Sequence, residues 1–406
     1  MTTQLTAAEA ARRLGVKPAT LYAYVSRGTL SRRRAADGRT SLFDAEEIET
    51  LARRGRPRRP AGVLDITVES QITQISGDRL RYRGRDTIEL ARTRSFEDVA
   101  ELLWTGTLPD GPGPAWRAQD VALDVGRAAH GVLPGRVLPL EAMRVIVPAI
   151  AVTDPLRLHL DRPAVMAAGR TIAAGMVDCL PRAGDPSGKT VAEPPGETIA
   201  ARLWATVCDR RPSPALLRAM SAALVLLADH ELAASTLAAR TAASSRADPY
   251  AVVSAGLGAV SGALHGGASL AAETMLSAAR EPSDVPRVMA DMLRRGERIP
   301  GFGHSVYRGE DPRFSPLLGL VREAVPKSRA LAVTDAVMAE ARRKSLPAPN
   351  IDLALGALAA ATGMVLGAGE AIFAVARTAG WLAHAMEAYE AGKLLRPRAS
   401  YTGPGA

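Results

Sequence analysis

The sequence predicts a mainly α-helical protein with a small, basic N-terminal module. Hydrophobic residues make up 47% and charged residues 23% of the 406 residues, values typical of a globular chain, which exclude disorder, collagen or a coiled-coil rod as descriptions of the whole. Aromatic residues make up only 4%, and Ala, Leu and Val fill the apolar positions, which favours helices in close contact. Beyond Gly84, apolar residues recur at helical spacing, and no later run alternates as a strand does.

Charge is distributed unevenly along the chain. The formal net charge is +9, and residues 1–60 hold 13 Arg and Lys against 6 Asp and Glu. A net charge of +7 therefore lies in the first 60 residues, and +2 in the other 346. A basic segment before a nearly neutral body indicates a binding module joined to a second domain, with nucleic acid as a candidate partner.

Residues 5–25 predict two short helices joined by a tight turn. Thr6 is expected to cap the Ala-rich run 7–14 in a capping box with Glu9, and Gly15 is expected to end that helix. A second helix is expected over residues 18–25. Two short helices separated by a Gly-containing turn are typical of a helix-turn-helix motif.

A small hairpin, or wing, is predicted next. Residues 32–34 and 40–43 are expected to form its strands, joined through Asp37-Gly38, and a third helix is expected to open at Asp44. Over about residues 3–53, this arrangement resembles the MerR and excisionase type of winged helix-turn-helix.

The resemblance implies that the second helix enters the major groove of DNA and that the wing meets phosphate. The implied groove contacts are Lys17, Thr20, Tyr22, Tyr24 and Arg27. The implied backbone contacts are Arg32, Arg33, Arg34 and Arg39, which would give salt-dependent affinity. The alternative is a docking or dimerisation domain that keeps this fold and does not bind DNA.

Residues 53–60 separate this module from the rest of the chain. They read Arg-Arg-Gly-Arg-Pro-Arg-Arg-Pro, without an apolar residue, and predict a linker. We therefore expect a winged helix-turn-helix at 1–58 and a body that starts at about residue 62.

The body begins with a predicted hairpin and continues as helices. Residues 72–75 and 80–84 flank a Ser-Gly-Asp turn, and Ser95 is expected to cap a helix with acidic residues in its first turn. The glycines at 256 and 258 lie inside a helical run, so a dinucleotide-binding loop has no support. The apolar stretch 353–369 is short and rich in Gly and Ala, which predicts one buried core helix rather than a membrane span.

Neither the cysteines nor the histidines predict a metal site. Cys179 and Cys208 are too few for a disulfide framework or a zinc site, so we expect a reducing compartment, the cytoplasm. Three histidines in notable settings, His230, His265 and His304, lie far apart in sequence and lack a metal ligand at helical spacing.

These three histidines instead indicate a functional site. His230 lies between Asp229 and Glu231, His265 precedes two glycines, and His304 follows Gly303 in a loop that runs to Arg313. Glycine beside histidine lets the backbone approach a ligand closely. Taken alone, each histidine is more often structural than catalytic. Three such histidines together with an Arg-containing loop, in a body of nearly zero net charge, indicate a functional site rather than three separate structural roles.

Five short motifs follow one another along the body. They are the Tyr-Arg-Gly hairpin at 80–84, Asp-His-Glu at 229–231, Leu-His-Gly-Gly at 264–267, the loop 303–313 and Pro-Asn-Ile-Asp at 349–352. With these motifs in this order, the body resembles one family, the citrate synthases, over about residues 62–406. Basic sites follow at 376–378 and 396–398. The resemblance implies a large helical domain over 62–264 and 366–406, and a small domain over 265–365 that closes over substrate.

The resemblance also implies a reaction, the condensation of acetyl-CoA with oxaloacetate to give citrate and CoA, without a further cofactor. Asp352 would take a proton from the acetyl methyl group, and His265 would stabilise the enol oxygen. His304 would polarise the ketone of oxaloacetate as the new bond forms.

Binding residues are implied in the same way. Arg313, Arg377 and Arg396, with His230, would bind the carboxylates of oxaloacetate, and Arg396 would come from the other subunit of a homodimer. Arg308 would meet a CoA phosphate. The backbone of Ile299, Gly301 and Gly303 would lie near the adenine.

Alternatives remain for the whole site and for single residues. The body could be a 2-methylcitrate synthase that uses propionyl-CoA. The protein could also be a sensor, whose body binds oxaloacetate or an acyl-CoA and whose N-terminal module binds DNA. Taken singly, Asp352 could be a helix N-cap, and Arg377 a surface charge. One departure from the family pattern is Ser269, which stands where Asn is usual after Leu-His-Gly-Gly-Ala.

Overall fold

The chain forms two compact units, Met1–Glu69 and Ser70–Ala406. A computed structural model describes residues 4–14, 16, 18–26, 30–35, 37, 40–45, 47–48, 67–111, 113–135, 137–185, 196–397 and 403. Predicted features at Gly15, Lys17, Arg27, Gly38, Arg39 and the 53–60 linker lie outside these residues. Within them, no helix combines the length and the apolar character needed to cross a membrane.

The described residues of the N-terminal unit include helices of eight and nine residues, further helical positions at 45 and 47–48, and a three-stranded antiparallel sheet. Strand β1 (Gln4–Thr6) leads into α1 (Ala7–Leu14), and α2 (Pro18–Ser26) is followed by β2 (Arg33–Arg34) and β3 (Ser41–Asp44). Strand β3 pairs with both β1 and β2. The predicted wing is therefore confirmed, and it gains a strand, β1, that the sequence pattern does not predict.

Local contacts hold this small unit together. The predicted capping box is present, because Glu9 accepts the Thr6 N–H at 2.9 Å and Thr6 Oγ1 accepts the Glu9 N–H at 3.4 Å. Leu5, Leu21 and Phe43 belong to one buried cluster that joins the sheet to the helices.

The second unit opens with the predicted hairpin. Strands β4 (Thr73–Ser76) and β5 (Arg79–Tyr82) are antiparallel, and a short β6 (Arg85–Asp86) pairs with β5. Tyr82 is buried, and its hydroxyl donates to the Asp229 carbonyl at 2.9 Å. The hairpin is thereby fixed to the turn that carries His230.

Helices make up most of the rest of this unit. They are α3 (Thr87–Thr93), α4 (Phe96–Thr105), α5 (Asp120–Gly131), α6 (Pro139–Ala151), α7 (Arg162–Asp178), α8 (Ile199–Val207), α9 (Pro214–Leu227), α10 (Ala234–Ser244), α11 (Pro249–Val260), α12 (Gly267–Ala278), α13 (Val285–Arg294), α14 (Phe314–Ala324), α15 (Arg329–Arg343), α16 (Ile351–Thr362) and α17 (Ala368–Ala391). The predicted Ser95 cap is confirmed, with Asp98 completing a capping box on α4.

The apolar stretch 353–369 is not the single helix that its hydropathy predicts. It is divided between α16 and α17, because Gly363 ends the first helix with φ 71° and Gly367 precedes the second with φ 83°. These left-handed conformations favour glycine and break a helix. Glu273 accepts the N–H groups of Gly367 and Gly369 at 2.9 and 2.6 Å, which satisfies the start of α17.

Helix α17 is the buried axis of the unit. All but three of its 24 residues are buried. Gly380 lets this helix approach the turn after α9, since a Cβ there would lie 2.3 Å from Asp229 Oδ1. The close approach brings the side chains of α17 next to the His230 turn.

Candidate active site

Arg377 on α17 forms the cationic wall of the site. It is 1% exposed, and its Nε donates to the Leu227 carbonyl at 2.7 Å. Its guanidinium carbon lies 4.5 Å from the ring centroid of Phe373, one helical turn earlier. Its buried Nη1 has no hydrogen-bond partner within the described part of the chain. Such a group is costly unless an anion meets it, so the geometry favours a ligand carboxylate here.

His265 lies in the turn between α11 and α12 and packs against the same phenyl ring. The His265 and Phe373 ring centroids are 5.3 Å apart, nearly perpendicular. Ser235 Oγ lies 2.7 Å from His265 Nε2 and accepts the Trp381 Nε1–H at 3.2 Å. Because that hydroxyl already accepts from Trp381, its own proton is available to His265 Nε2. The neutral ring would then carry its proton on Nδ1.

His304 lies in the loop between α13 and α14 with its tautomer defined by the backbone. Its Nδ1 accepts the N–H of Val306 at 3.0 Å and that of Tyr307 at 3.4 Å. A backbone N–H can only donate, so the neutral ring carries its proton on Nε2. The His304 and His230 rings meet edge to face at 5.1 Å. Tyr307 joins them, because its hydroxyl shares a hydrogen bond of 2.9 Å with His230 Nε2.

A buried ion pair closes the His304 loop. Arg313 donates through Nε to Asp311 Oδ1 at 2.9 Å and through Nη2 to Oδ2 at 2.8 Å, and both side chains are almost fully buried. Arg313 Nη2 also lies 3.5 Å from His304 Nε2. Asp311 Oδ2 accepts the N–H of Ile351, the first residue of α16, at 3.2 Å.

The same loop is fastened to the start of α16 by backbone contacts. Gly303 N–H donates to the Ala348 carbonyl at 2.8 Å, and Asn350 Nδ2 donates to the Gly303 carbonyl at 2.8 Å. Gly301 has φ 82°, and a Cβ there would lie 2.7 Å from Leu353 Cβ, so only glycine fits. Asn350 caps α16 by accepting the Asp352 N–H at 3.1 Å. The alternative of Asp352 as an N-cap is therefore wrong.

Asp352 lies in the first turn of α16, and its carboxylate does not cap that helix. Its Oδ1 accepts the Ser269 hydroxyl at 2.5 Å, and Ser269 is fully buried. Burial raises the pKa of Asp352 to about 6, although the Ser269 hydrogen bond and the Arg313 charge act to lower it. A carboxyl group with this pKa is ionised at pH 7 and is more basic than an ordinary aspartate.

The histidines are neutral for the same physical reason. Burial, followed by the positive charge of Arg377, lowers the pKa of His265 to about 4. Burial and Arg313 lower the pKa of His304 to about 4, and they hold the pKa of His230 well below its usual value. Burial also lowers the pKa of Arg377, to about 10, so this guanidinium stays charged. The site therefore combines neutral imidazoles, charged guanidiniums and one basic carboxylate.

The chain is similar to known proteins along most of its length. Residues 62–398 match the family model of the citrate synthase C-terminal domain, and residues 5–56 match that of a helix-turn-helix domain. The citrate synthase of Haloferax volcanii is 34% identical over 367 residues, which cover 83% of this chain and 94% of that protein. Citrate synthase 2 of Bacillus subtilis is 31% identical, over 84% of this chain and 94% of that protein.

The chain belongs to the citrate synthase family. It is a citrate synthase-like enzyme whose body follows a helix-turn-helix domain. Its fold matches the ternary complex of carboxymethyl coenzyme A and oxaloacetate with the citrate synthase of Thermoplasma acidophilum. The TM-score is 0.71 at 26% identity, over 84% of this chain and 95% of that one.

The predicted residues of this citrate synthase family member fall into three groups. His230, His265, His304, Arg313, Asp352 and Arg377 line one buried region through the contacts above. Arg308 and Arg396 are exposed, and no contact joins either to that group among the described residues. Ile299 and Gly301 are buried, and Gly303 is half-buried.

Four residues that shape the site had no role assigned from the sequence, although Ser269 was noted as a departure from the family pattern. Tyr307 joins two histidines, Phe373 separates Arg377 from His265, Asp311 pairs with Arg313, and Ser269 holds Asp352. The Asp-Pro-Arg spacing at 311–313 carried a signal for the ion pair, because charges two residues apart in a loop can meet. The contacts of Tyr307 and Ser269 join residues distant in sequence and left no local signal.

We expect the kcat/KM for acyl-CoA to fall below about pH 6 with a slope of one on a logarithmic plot. If Asp352 is the base, it must be ionised to accept a proton. Its pKa is about 6, whereas His265 and His304 stay neutral down to about pH 4. A pH profile of kcat/KM reports the groups of the free enzyme and measures this directly. A limb near pH 4, or one of slope two, would contradict the assignment of the base.

Proposed function

We propose that the site condenses acetyl-CoA with oxaloacetate to give citrate and CoA. The observation that carries the proposal is the juxtaposition of one basic carboxylate, neutral imidazoles and buried guanidiniums around Asp352, His265, His304 and Arg377. Carbon–carbon bond formation through an enol needs a base, a neutral donor at the enol oxygen and charge at a dianionic partner.

Asp352 and His265 would form the enol. Asp352 Oδ2 would take the proton of the acetyl methyl group, while His265 would donate to the thioester oxygen. A neutral imidazole suits this step as a donor. The pKa of its N–H is closer to the pKa of the enol hydroxyl than the pKa of an imidazolium N–H is. The Ser235 contact supports this role because it leaves the proton on His265 Nδ1.

Oxaloacetate would bind against His304, Arg313 and Arg377. The Nε2–H of His304 is a donor suited to its ketone, beside the Arg313 guanidinium at 3.5 Å. The unpartnered Nη1 of Arg377 would meet one carboxylate. His230 would complete the carboxylate site, with Tyr307 moving from His230 Nε2 or sharing the contact.

CoA would lie along the loop that carries His304. Arg308 is exposed and would meet a phosphate, and the backbone at Ile299, Gly301 and Gly303 would face the adenine. The adenine contacts would use backbone groups other than the Gly301 carbonyl and the Gly303 N–H and carbonyl, which are paired within the chain. Hydrolysis of the citryl thioester would then release CoA.

Closure of a small domain, residues 265–365, over the large domain, 62–264 and 366–406, would exclude water during condensation. A homodimer would complete each site with Arg396 of the other subunit. Exposed apolar side chains support a subunit interface: Leu264, next to His265, is 95% exposed, and Val152, Leu156 and Leu158 are also exposed.

The N-terminal unit would bind duplex DNA. Thr20 and Tyr22 on α2 are exposed, Tyr24 is half-buried against the core of the unit, and Arg32, Arg33 and Arg34 are exposed before and within β2. For Lys17, Arg27 and Arg39, the DNA contact rests on the resemblance alone. A module of this charge would bind mainly through phosphate.

The substitution Asp352→Asn is expected to lower kcat by at least about 100-fold and to leave oxaloacetate binding nearly unchanged, because it removes the base and keeps the shape. Thiol release with oxaloacetate and either acetyl-CoA or propionyl-CoA measures turnover, and calorimetry measures oxaloacetate binding. Near-normal turnover of the variant would show that the base is misassigned.

The same assay on the wild type tests the function as a whole. No thiol release by the wild type, with oxaloacetate still bound, would favour a metabolite sensor. Faster turnover of propionyl-CoA would indicate a 2-methylcitrate synthase.

Mixing inactive Arg396→Ala with inactive Asp352→Ala is expected to restore about a quarter of wild-type activity. Random exchange makes half of the dimers mixed, and one site of each mixed dimer keeps both residues. Native mass spectrometry confirms exchange, and thiol release reports activity. Exchange without any recovery would place the complete site within one chain.

Replacing Arg32, Arg33 and Arg34 together with Ala is expected to weaken DNA binding and to leave condensation unchanged. Each lost phosphate contact should reduce the slope of log K against log salt by about 0.9. Mobility-shift titrations at several salt concentrations measure the slope. The matched control replaces Arg287, Arg294 and Arg298 with Ala and should leave the slope unchanged. A wild-type chain that is not retained by DNA at low salt would indicate a docking domain instead.

A further inference from the structure

We propose that Ser269 is a positioning residue for the base: its hydroxyl holds Asp352 Oδ1 and leaves Oδ2 as the oxygen that takes the substrate proton. The inference rests on the proposed condensation and adds a residue to it.

The geometry of the carboxylate gives its two oxygens different roles. Oδ1 accepts the Ser269 hydroxyl at 2.5 Å, whereas Oδ2 accepts no hydrogen bond from any described residue. The backbone N–H of Asp352 is held by Asn350 Oδ1 at 3.1 Å, so the residue is fixed from two sides. A hydroxyl bonded to an ionised oxygen is a strong, directional contact. Oδ2 is then the oxygen available to a substrate.

Ser269 can fix Asp352 because its own position is fixed. It is fully buried in the first turn of α12, and its N–H donates to the Gly266 carbonyl at 3.0 Å. Its Cβ lies 3.2 Å from the place that a Cβ on Gly369 would occupy, so α17 packs directly on it. One turn further along α12, the backbone of Ala272 lies 3.2 Å from the Cβ position of Gly356 on α16. The helices thus set the distance between Ser269 and Asp352 through close backbone approach.

Ser269 lies four residues after His265, and the Ala268 N–H donates to the His265 carbonyl at 3.1 Å where the turn leads into α12. The proposed enol donor and the hydroxyl that holds the base are therefore attached to one short segment. A shift of α12 would move both together relative to the acyl group. This arrangement keeps the donor at the enol oxygen and the base at the methyl group in fixed positions relative to each other.

The charges that face Asp352 come from two elements, the loop that carries His304 and helix α17. Arg313 and Arg377 favour its ionised form, and Asp311 disfavours it. Ser269 is the uncharged group that favours ionisation, and its hydrogen bond counteracts burial more than either guanidinium does. Removal of the hydroxyl should therefore raise the pKa of Asp352, while the guanidiniums keep the substrate site intact.

The test is the pH profile of kcat/KM for Ser269→Ala, which removes only the hydroxyl oxygen. We expect the acid limb to move upward by about one pH unit, the scale of a hydrogen bond to a charged group. Activity would then fall about fivefold at pH 6 and change little at pH 8. Ser269→Thr, which retains the hydroxyl, should return the limb to its wild-type position. Ser235→Ala is the matched control, because it removes a buried hydroxyl beside His265 and should not move the limb.

A loss of activity that is equal at all pH values, with the limb in place, would overturn the proposal and indicate a merely structural serine. The carboxyl carbon NMR titration of Asp352, assigned by its loss in Asp352→Asn, provides a readout without turnover. An unchanged Asp352 pKa in Ser269→Ala would also overturn the proposal. Absence of thiol release from the wild type would overturn the proposed function, whereas the NMR titration would still decide the role of Ser269.

Discussion

The carboxylate of Asp311 holds together the two segments that carry the chemistry. It accepts hydrogen bonds from the Arg313 N–H, Nε and Nη2 at 3.0, 2.9 and 2.8 Å, and from the Ile351 N–H at 3.2 Å. Three of these contacts close the loop that carries His304, and the fourth joins that loop to the helix that carries Asp352. Without Asp311, Arg313 would be a buried and uncompensated charge, which costs more than the pair contributes.

Burial then sets the chemistry of every group around this pair. The same desolvation that makes His265 and His304 neutral makes Asp352 more basic, because each charged form loses contact with water. Arg377 remains charged, and only part of its guanidinium is satisfied, by the Leu227 carbonyl. Such a guanidinium suits a dianion, and in the proposed condensation the Asp352 carboxylate would accept the substrate proton.

Local spacing explains which parts of this structure could be predicted from the sequence. The capping boxes at Thr6 and Ser95 involve residues three apart, so their partners stand beside them in the sequence. Family motifs pointed to His265, His304 and Asp352. Their spacing in the sequence could not predict how deeply they are buried or how their pKa values shift. Hydropathy predicted one helix over 353–369, because it registers apolar character and ignores the left-handed glycines that divide the stretch. The Ser269–Asp352 and Tyr307–His230 contacts span 83 and 77 residues, so only the packed helices reveal them.

The most direct measurement is the kcat of thiol release by Asp311→Asn, at saturating oxaloacetate and acetyl-CoA. If Asp311 fixes the His304 loop against the Asp352 helix, kcat should fall by at least about 100-fold, the scale of a catalytic group misplaced by about 1 Å. Asp335→Asn, which breaks the exposed pair with Arg322, should leave kcat unchanged. A folded Asp311→Asn enzyme with near-normal kcat would contradict the account, because the two segments would then hold their register without Asp311.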